Sequence, residues 1–558
     1  MSISLSFPGF AAVGAAALLA LSGCSGGSAP APAPARVPTP APPSGGGTTT
    51  PPAPSGPVFT RNSFDPASTY KDRCQAVRTG VDIEGNPYTD LPGSLIEELF
   101  WLRSWTHETY LWNDEVVDQD PHNFNDRLQY FDVLKTTATT ASGRDKDEFH
   151  FTQPTDEYLA DINSAPTASY GFRLIANQTT PPRDFKVVYT EPGSPAAQVV
   201  SGLQNFTRGA TLLAIDGVDL VNANTQAEID ILNAGLFPAT AGESHMFTVQ
   251  DAGAASPRDV TVVSADIAPT AVNRTAIINT ATGDVGYILL NTFGTFSSEK
   301  EIFDAITAMS TAGVSDLVID LRYNGGGLLA VASQLDYMIA GAGQTNGRIF
   351  EQLRFNALAG SIDPVTGQPN DPVPFFSTGL GFSVTNGTPL PTLNLNRVFV
   401  LSTDRTCSAS ESVINSLRGI NVNVILIGTT TCGKPFGFYP TDNCGVTYFT
   451  VQFQGTNDQG FGDYADGFGP ANSSNAFSVK APGCAVADDL THNLGDPSED
   501  LLAAALQYRD TSTCPAPPPM SVSAPGAGEQ PALSLDVAPY NNLMMNNRDM
   551  RLPKGSLN

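Results

Sequence analysis

The sequence predicts a multidomain protein of mixed α/β and α+β class, and three features carry that prediction. Residues 285–342 read strand–helix–strand–helix and residues 398–427 read strand–helix–strand, the alternation of a largely parallel sheet covered by helices. Residues 167–268 give short strand-like runs broken by turns, as a small β-domain does. Residues 91–162 are helical in period and gather all three tryptophans, Trp101, Trp105 and Trp112. A chain of 558 residues has room for about three or four such units.

Composition bounds the partners. With 41% hydrophobic and 15% charged residues the chain is globular in character. Its 29 basic against 55 acidic residues, net −26, work against nucleic acid or anionic lipid as a partner of the folded part. Residues 10–21 are an apolar, alanine-rich run, too short to cross a bilayer but of the length of a signal h-region. Residues 1–9 before it carry no lysine or arginine. The run ends in Leu21-Ser-Gly-Cys24, which resembles the lipobox of bacterial lipoproteins. That resemblance implies cleavage before Cys24, lipidation of Cys24, and an exported, membrane-anchored protein, periplasmic or at the cell surface. Ser25, in place of aspartate, leans toward the outer membrane where the organism has one, and the sequence does not name the membrane that holds the anchor.

The remaining elements follow in order. Residues 25–67 are Ser, Gly, Pro, Ala and Thr at first, unable to bury enough surface to fold, and read as a tether. Residues 68–166 form the helical domain: Ser94-Leu-Ile-Glu97 is a capping box, and Leu95, Leu99, Leu102 and Thr106 follow at helical spacing. In the β-domain, residues 167–268, Gly193-Ser-Pro-Ala-Ala197 has its proline early, as a helix start does. Residues 269–510 are the core, with strands expected at 285–290, 317–321, 398–401 and 422–427. Asn324-Gly-Gly-Gly327 falls at a carboxyl strand end that opens a helix, where unpaired N–H groups suit an anion and glycine allows close approach. Residues 343–395 read as a long excursion that covers the site, 446–453 alternate as a strand, and 498–508 as a last helix. Residues 511–558 read as a tail, mostly disordered.

The chemistry is expected in residues 398–439. Ser408 opens a helix and Lys434 lies in the loop after the next strand. Loops leaving one edge of a parallel sheet can meet. A hydroxyl and an amine so placed can serve as nucleophile and general base with no histidine. Ser408 with Glu411 also reads simply as a capping box. Gly428-Thr-Thr-Thr-Cys-Gly433-Lys434 matches a phosphate-binding loop until its last position, where Pro435 replaces the required hydroxyl, so the nucleotide reading is rejected. The five histidines, His107, His122, His150, His245 and His492, show no metal spacing, and no metal or cofactor is expected. Cys74, Cys407, Cys432, Cys444, Cys484 and Cys514 are an even set, which in an exported chain predicts disulfides. Cys407–Cys432 would tie the serine turn to the lysine loop; a local Cys432–Cys444 pair is the alternative.

Thr406-Cys-Ser-Ala-Ser-Glu411 followed by Gly433-Lys434, with Asp320-Leu-Arg-Tyr-Asn-Gly-Gly-Gly327 upstream, resembles the paired motifs of the C-terminal processing (tail-specific) serine peptidases. Over residues 90–510 the resemblance implies an N-terminal helical domain, a PDZ-like β-domain and an α/β protease core. It implies that Ser408 attacks a peptide carbonyl while Lys434 takes the proton. The oxyanion would be held by the N–H of Ala409 and one from Gly325 or Gly326. The lysine must then be uncharged, a displacement of about three pKa units, or about 4 kcal/mol, that burial can impose. The PDZ-like domain would capture a polypeptide by an unstructured or C-terminal segment, near Tyr170-Gly171-Phe172. Two positions depart from the pattern: Phe438 stands where some relatives have glutamine, and Gly419 where certain members have aspartate. The alternatives are an inactive peptide-binding lipoprotein of the same fold and a Ser–His hydrolase using His492.

Overall fold

The computed structural model describes residues 56–516 and the backbone of Arg548–Asp549. Cys24, the signal segment and most of the tether and tail lie outside the described residues. No described helix is long and apolar enough to cross a membrane.

The chain is already packed before the expected end of the tether. Phe59 and Phe64 lie against the Arg103 guanidinium of helix α1, Leu95–Thr109. Glu97 and Glu98 in the first turn of α1 complement its dipole. Trp101 and Trp105 stack at 5.0 Å, and Tyr448, far along the chain, reaches Trp101 at 5.3 Å. Strand Phe151–Pro154 pairs with Val446–Phe449, and Cys74 is bonded to Cys444. The helical part therefore shares its apolar centre with a hairpin of the core.

The small sheet has the spatial order Arg258–Val263, Ser244–Gln250, Thr211–Ile215, Asp184–Thr190, Phe172–Gln178, all antiparallel. The helix Gln226–Leu236 joins it in a core of its own, built on Phe172, Leu212, Leu232 and Phe247. Phe172–Gln178 is an edge strand.

The main sheet contains β1 (Val272–Ile278), β2 (Val285–Leu290), β3 (Asp316–Asp320), β4 (Arg397–Ser402), β5 (Asn423–Gly428) and β6 (Gly483–Ala485), in that spatial order. β1 runs antiparallel to β2; the rest are parallel. Helices α2 (Ser297–Ala312), α3 (Leu329–Ala340) and α4 (Ala409–Gly419) cover one face, where Ile288, Ile319, Val400 and Leu426 point. Helix α5 (Asp500–Thr511) covers the other, against Tyr287, Val318, Phe399 and Ile425. Burial on both faces explains why these strands read as continuous apolar runs.

Two expectations change. The excursion at 343–395 is not simply a cover. Its strand Ile349–Arg354 enters a second sheet, Val373–Pro374, Ile349–Arg354, Phe453–Thr456, Phe436–Gly437, whose last strand directly follows Pro435. It is also pinned to α2, where the buried Glu299 carboxylate accepts the N–H groups of Leu380, Ser383 and Val384 at 2.6, 2.8 and 2.8 Å. The strand expected over 446–453 is two strands, Val446–Phe449 and Phe453–Thr456. Its alternation reflects two destinations: Tyr448 enters the tryptophan cluster and Phe449 the main core.

Candidate active site

Strand β4 ends at Ser402, and the turn after it is clamped to the glycine loop that follows β3. Thr406 Oγ1 donates to the carbonyl of Leu321 at 2.8 Å, and the Cys407 N–H and Ser410 Oγ both donate to that of Asn324 at 3.1 Å. Asn324 Nδ2 in turn donates to the carbonyl of Leu290 at the end of β2 (3.0 Å). Three adjacent strand ends thus fix one turn. Ser408 closes it with φ 60° and ψ −116°, a conformation that costs a residue with a side chain about 1–3 kcal/mol and persists only when its surroundings impose it. The serine is fully buried. Oγ sits at the capping position of α4, yet it makes no bond of hydrogen-bonding geometry.

Gly326 has φ 111°, and a Cβ there would come within 2.7 Å of Ser408 Cβ and 3.0 Å of the Ala409 nitrogen. Only glycine lets the two loops approach this closely. The Gly326 N–H donates to Asn324 Oδ1 at 2.9 Å, so it is already engaged. Of the two glycines, Gly325 is the candidate partner for the N–H of Ala409, which opens α4 outside the intrahelical ladder.

Lys434 lies in the loop after β5 and is fully buried. Its Nζ is 4.4 Å from the ring centroid of Phe438 and 4.9 Å from that of Phe149. The residue before it, Gly433, has φ 87°, and a Cβ there would come within 2.3 Å of the Ala465 carbonyl oxygen. Glu411 joins the two loops. Its Oε2 accepts the N–H of Ser408 at 3.0 Å and that of Lys434 at 2.8 Å. Its Oε1 accepts the Gly433 N–H at 2.8 Å and Thr431 Oγ1 at 2.5 Å. Burial pushes the Glu411 carboxyl up, against the pull of these donors. The same two loops are bonded covalently through Cys407–Cys432, as expected; Cys444 is bonded to Cys74 and Cys484 to Cys514.

Beneath the glycine loop, Arg322 is fully buried and pairs with Asp320 at 2.9 Å, Glu499 at 2.7 Å and Asp488 at 2.8 Å. Arg208, from the small sheet, also reaches Asp488 at 2.8 Å. Burial pushes the Asp488 carboxyl up, but the two guanidiniums hold it below the usual carboxylate range.

Of the residues singled out in the core, Gly326 meets Ser408 and Ala409 directly, Gly325 adjoins it in the same loop, and Glu411 joins the serine turn to the backbone of Lys434. Tyr170, Gly171 and Phe172 lie in the small sheet. Tyr170 and Phe172 are core residues there, the Tyr170 hydroxyl donates to the Gly235 carbonyl at 3.0 Å, and Gly171 accepts the N–H of Glu191 at 2.6 Å. All three residues are buried, the Tyr170 carbonyl accepts the Ala196 N–H at 2.9 Å, and a Cβ on Gly171 would come within 2.2 Å of Ser194 Cβ, so the turn expected to hold a ligand is covered and only the adjoining strand lies at the sheet edge. His492 is half-exposed, its Nδ1 held by Asp489 at 2.6 Å, and among the described residues none is hydrogen-bonded to Ser408 Oγ. The sequence pattern gave Glu411 a capping role alone, placed Asn324 in the glycine loop without its bonds to Leu290 and Gly326, and gave no sign of Phe149. Glu411 carried a signal in its spacing from Ser408; Phe149 carried none.

Residues 284–441 match the model of peptidase family S41. The matched span runs from β2 through Lys434 and holds the whole junction. A candidate S41 protease from Bacteroides fragilis is similar to 76% of this chain over 98% of its own, at 23% identity and a TM-score of 0.55. The photosystem II D1 C-terminal processing protease is similar to 69% of this chain over 94% of its own, at 15% identity and a TM-score of 0.39. No curated protein matches the sequence significantly.

Proposed function

We propose that the protein is a serine endopeptidase in which Ser408 is the nucleophile and Lys434 the general base. The observation that carries this is the shared Glu411 oxygen: one carboxylate atom takes the N–H of both residues, which fixes the serine turn and the lysine loop against each other in the buried interior. Ser408 Oγ attacks the substrate carbonyl carbon as Lys434 Nζ takes its proton. The tetrahedral oxyanion is met by the N–H groups of Ala409 and Gly325. Collapse breaks the C–N bond, the lysine returns the proton to the leaving amine, and water then attacks the acyl-enzyme by the same route. Only an uncharged amine can start this sequence, and burial away from water works against the charged form.

The substrate is a polypeptide. The PDZ-like reading of the small sheet supports capture of an extended segment along its edge strand Phe172–Gln178, beside the Tyr170–Phe172 turn. Export as a lipoprotein through Cys24 is supported by three disulfides, which fit an oxidising compartment.

A fluorophosphonate probe tests the catalytic assignment. The wild-type protein is expected to be labelled at Ser408 and to cleave an unstructured polypeptide. Ser408→Ala is expected to lose both properties and Lys434→Ala to lose cleavage by at least about 10³-fold, with unfolding profiles unchanged. A Lys434→Ala variant that cleaves at the wild-type rate removes the lysine from the mechanism.

A further inference from the structure

The glycine loop does not end at the junction with Ser408. Gly327–Leu328 runs on as a short extended stretch and pairs in parallel register with Arg548–Asp549, Gly327 opposite Arg548 and Leu328 opposite Asp549. The geometry of a strand decides which groups face which side. The Leu328 N–H donates to the Phe293 carbonyl at 3.0 Å, and the Gly326 carbonyl accepts the Phe293 N–H at 2.8 Å. Successive peptide groups alternate in direction, so the N–H and C=O of Gly327 face the other way, toward Arg548–Asp549. Phe436–Gly437, directly beyond Pro435, also lies against this pair. The Arg548–Asp549 strand is thus flanked by the backbone that adjoins Ser408 and by the backbone that follows Lys434.

An extended peptide laid along the outward edge of Gly327 runs beside Gly326, the residue that touches Ser408. Residues 540–558 suit it in composition. They contain Arg548, Arg551 and Lys554 against the single acid Asp549, on a chain whose net charge is −26, so long-range attraction favours their return to the body. They also carry the apolar residues Leu543, Met544, Met545, Met550 and Leu552.

We propose that the segment around Arg548–Asp549 is an intramolecular occupant of the substrate groove, held by strand addition to Gly327, and that it competes with polypeptides supplied from outside. The proposal rests on the reading of the junction as a peptidase site. A tethered ligand is present at an effective concentration in the millimolar range. An intrinsic dissociation constant on the order of 100 µM would then mask the groove about tenfold.

The test uses the folded full-length chain, with a recognition sequence for a site-specific protease placed between residues 520 and 535 and cut after folding. Cutting and removing the released segment is expected to raise kcat/KM on a fluorogenic peptide about tenfold. Asp549→Pro in the uncut chain, which lacks the N–H facing the Gly327 carbonyl, is expected to give the same relief. Hydrogen exchange in a peptide spanning 322–329 should quicken on removal. A fluorescein-labelled peptide of residues 541–556 should bind the cut Ser408→Ala protein, where it cannot be hydrolysed, and not the uncut one. Unchanged rates with no binding of the peptide would overturn the proposal while leaving the Ser–Lys assignment standing. Loss of fluorophosphonate labelling in every form would defeat that assignment instead, and the peptide-binding and exchange measurements would still decide occupancy.

Discussion

Replacing Glu411 separates its function as an organiser from a passive cap. In the structure the carboxylate serves four donors, two on each oxygen, and has no exposure to water. Glu411→Ala removes every acceptor at once. Three backbone N–H groups and one hydroxyl are left in a buried site, and with about 1–3 kcal/mol for each unsatisfied group, partly relieved by relaxation, the loss is on the order of 4 kcal/mol. Glu411→Gln is milder and its geometry can be worked out. The amide oxygen can keep the Oε2 position, accepting from Ser408 and Lys434, while the –NH2 group takes the Oε1 position. There the Thr431 hydroxyl can turn to accept, although it already accepts the Phe468 N–H at 2.8 Å. The Gly433 N–H meets a donor and remains unpaired. One unsatisfied group costs about 1–3 kcal/mol, and the two loops stay joined. The expected order in kcat is wild type, then Gln reduced by about tenfold, then Ala reduced by at least about 10², the penalty of a displacement near 1 Å between reacting groups. Urea unfolding and steady-state cleavage of one fluorogenic peptide measure both quantities. Glu411→Ala with wild-type kcat, or Gln as damaging as Ala, would refute the argument that the shared carboxylate sets the distance between serine and lysine.

Further predictions concern other groups. Reducing Cys407–Cys432, or replacing both by serine, opens a 25-residue loop and should cost about 3–4 kcal/mol with a fall in kcat; free-thiol titration alongside rate measurements checks it. Burial pushes the His150 imidazole down to about 4, and its neutral ring is satisfied by the Phe131 carbonyl at 2.9 Å and Thr450 Oγ1 at 3.1 Å. Between pH 6.5 and 4 the unfolded chain binds a proton that the folded chain refuses, so this contribution to stability is full above the window, falls through it as pH is lowered, and is lost below it, by at most about 3 kcal/mol; His150→Gln should flatten this slope in urea titrations. His492→Ala should leave peptide cleavage within about twofold of wild type, because its ring is held at the surface by Asp489. A loss of orders of magnitude would restore the Ser–His reading.

The main sheet was legible because its strands are buried on both faces and so appear as unbroken apolar runs, each followed by a helix with one apolar side. Strand order places the loops of Ser408 and Lys434 at the carboxyl edge of neighbouring strands, and the resemblance to the paired serine–lysine motifs singled those two residues out. Residues that act across long separations were not legible. Phe149 reaches Lys434 from a segment with no helical or strand period around it. Tyr448 belongs to the tryptophan cluster because of a pairing with Phe151–Pro154 that no local pattern encodes. The strand expected across 446–453 failed for a related reason: a single alternating run was being divided between two cores. Glu411 lies between these cases. Its spacing from Ser408 announced a bond to the helix start, but the second oxygen's partners come from the next loop.

The Cys74–Cys444 bond makes a covalent ring of the intervening chain, and both Ser408 and Lys434 are links in it. A protease that nicks any surface loop between the two cysteines produces no separate fragments until a reductant is added. Nor can a pull on the chain at residue 56 peel the N-terminal helices away one by one. The load passes at Cys74 directly into the hairpin at Val446, and from there the whole body must yield together or hold.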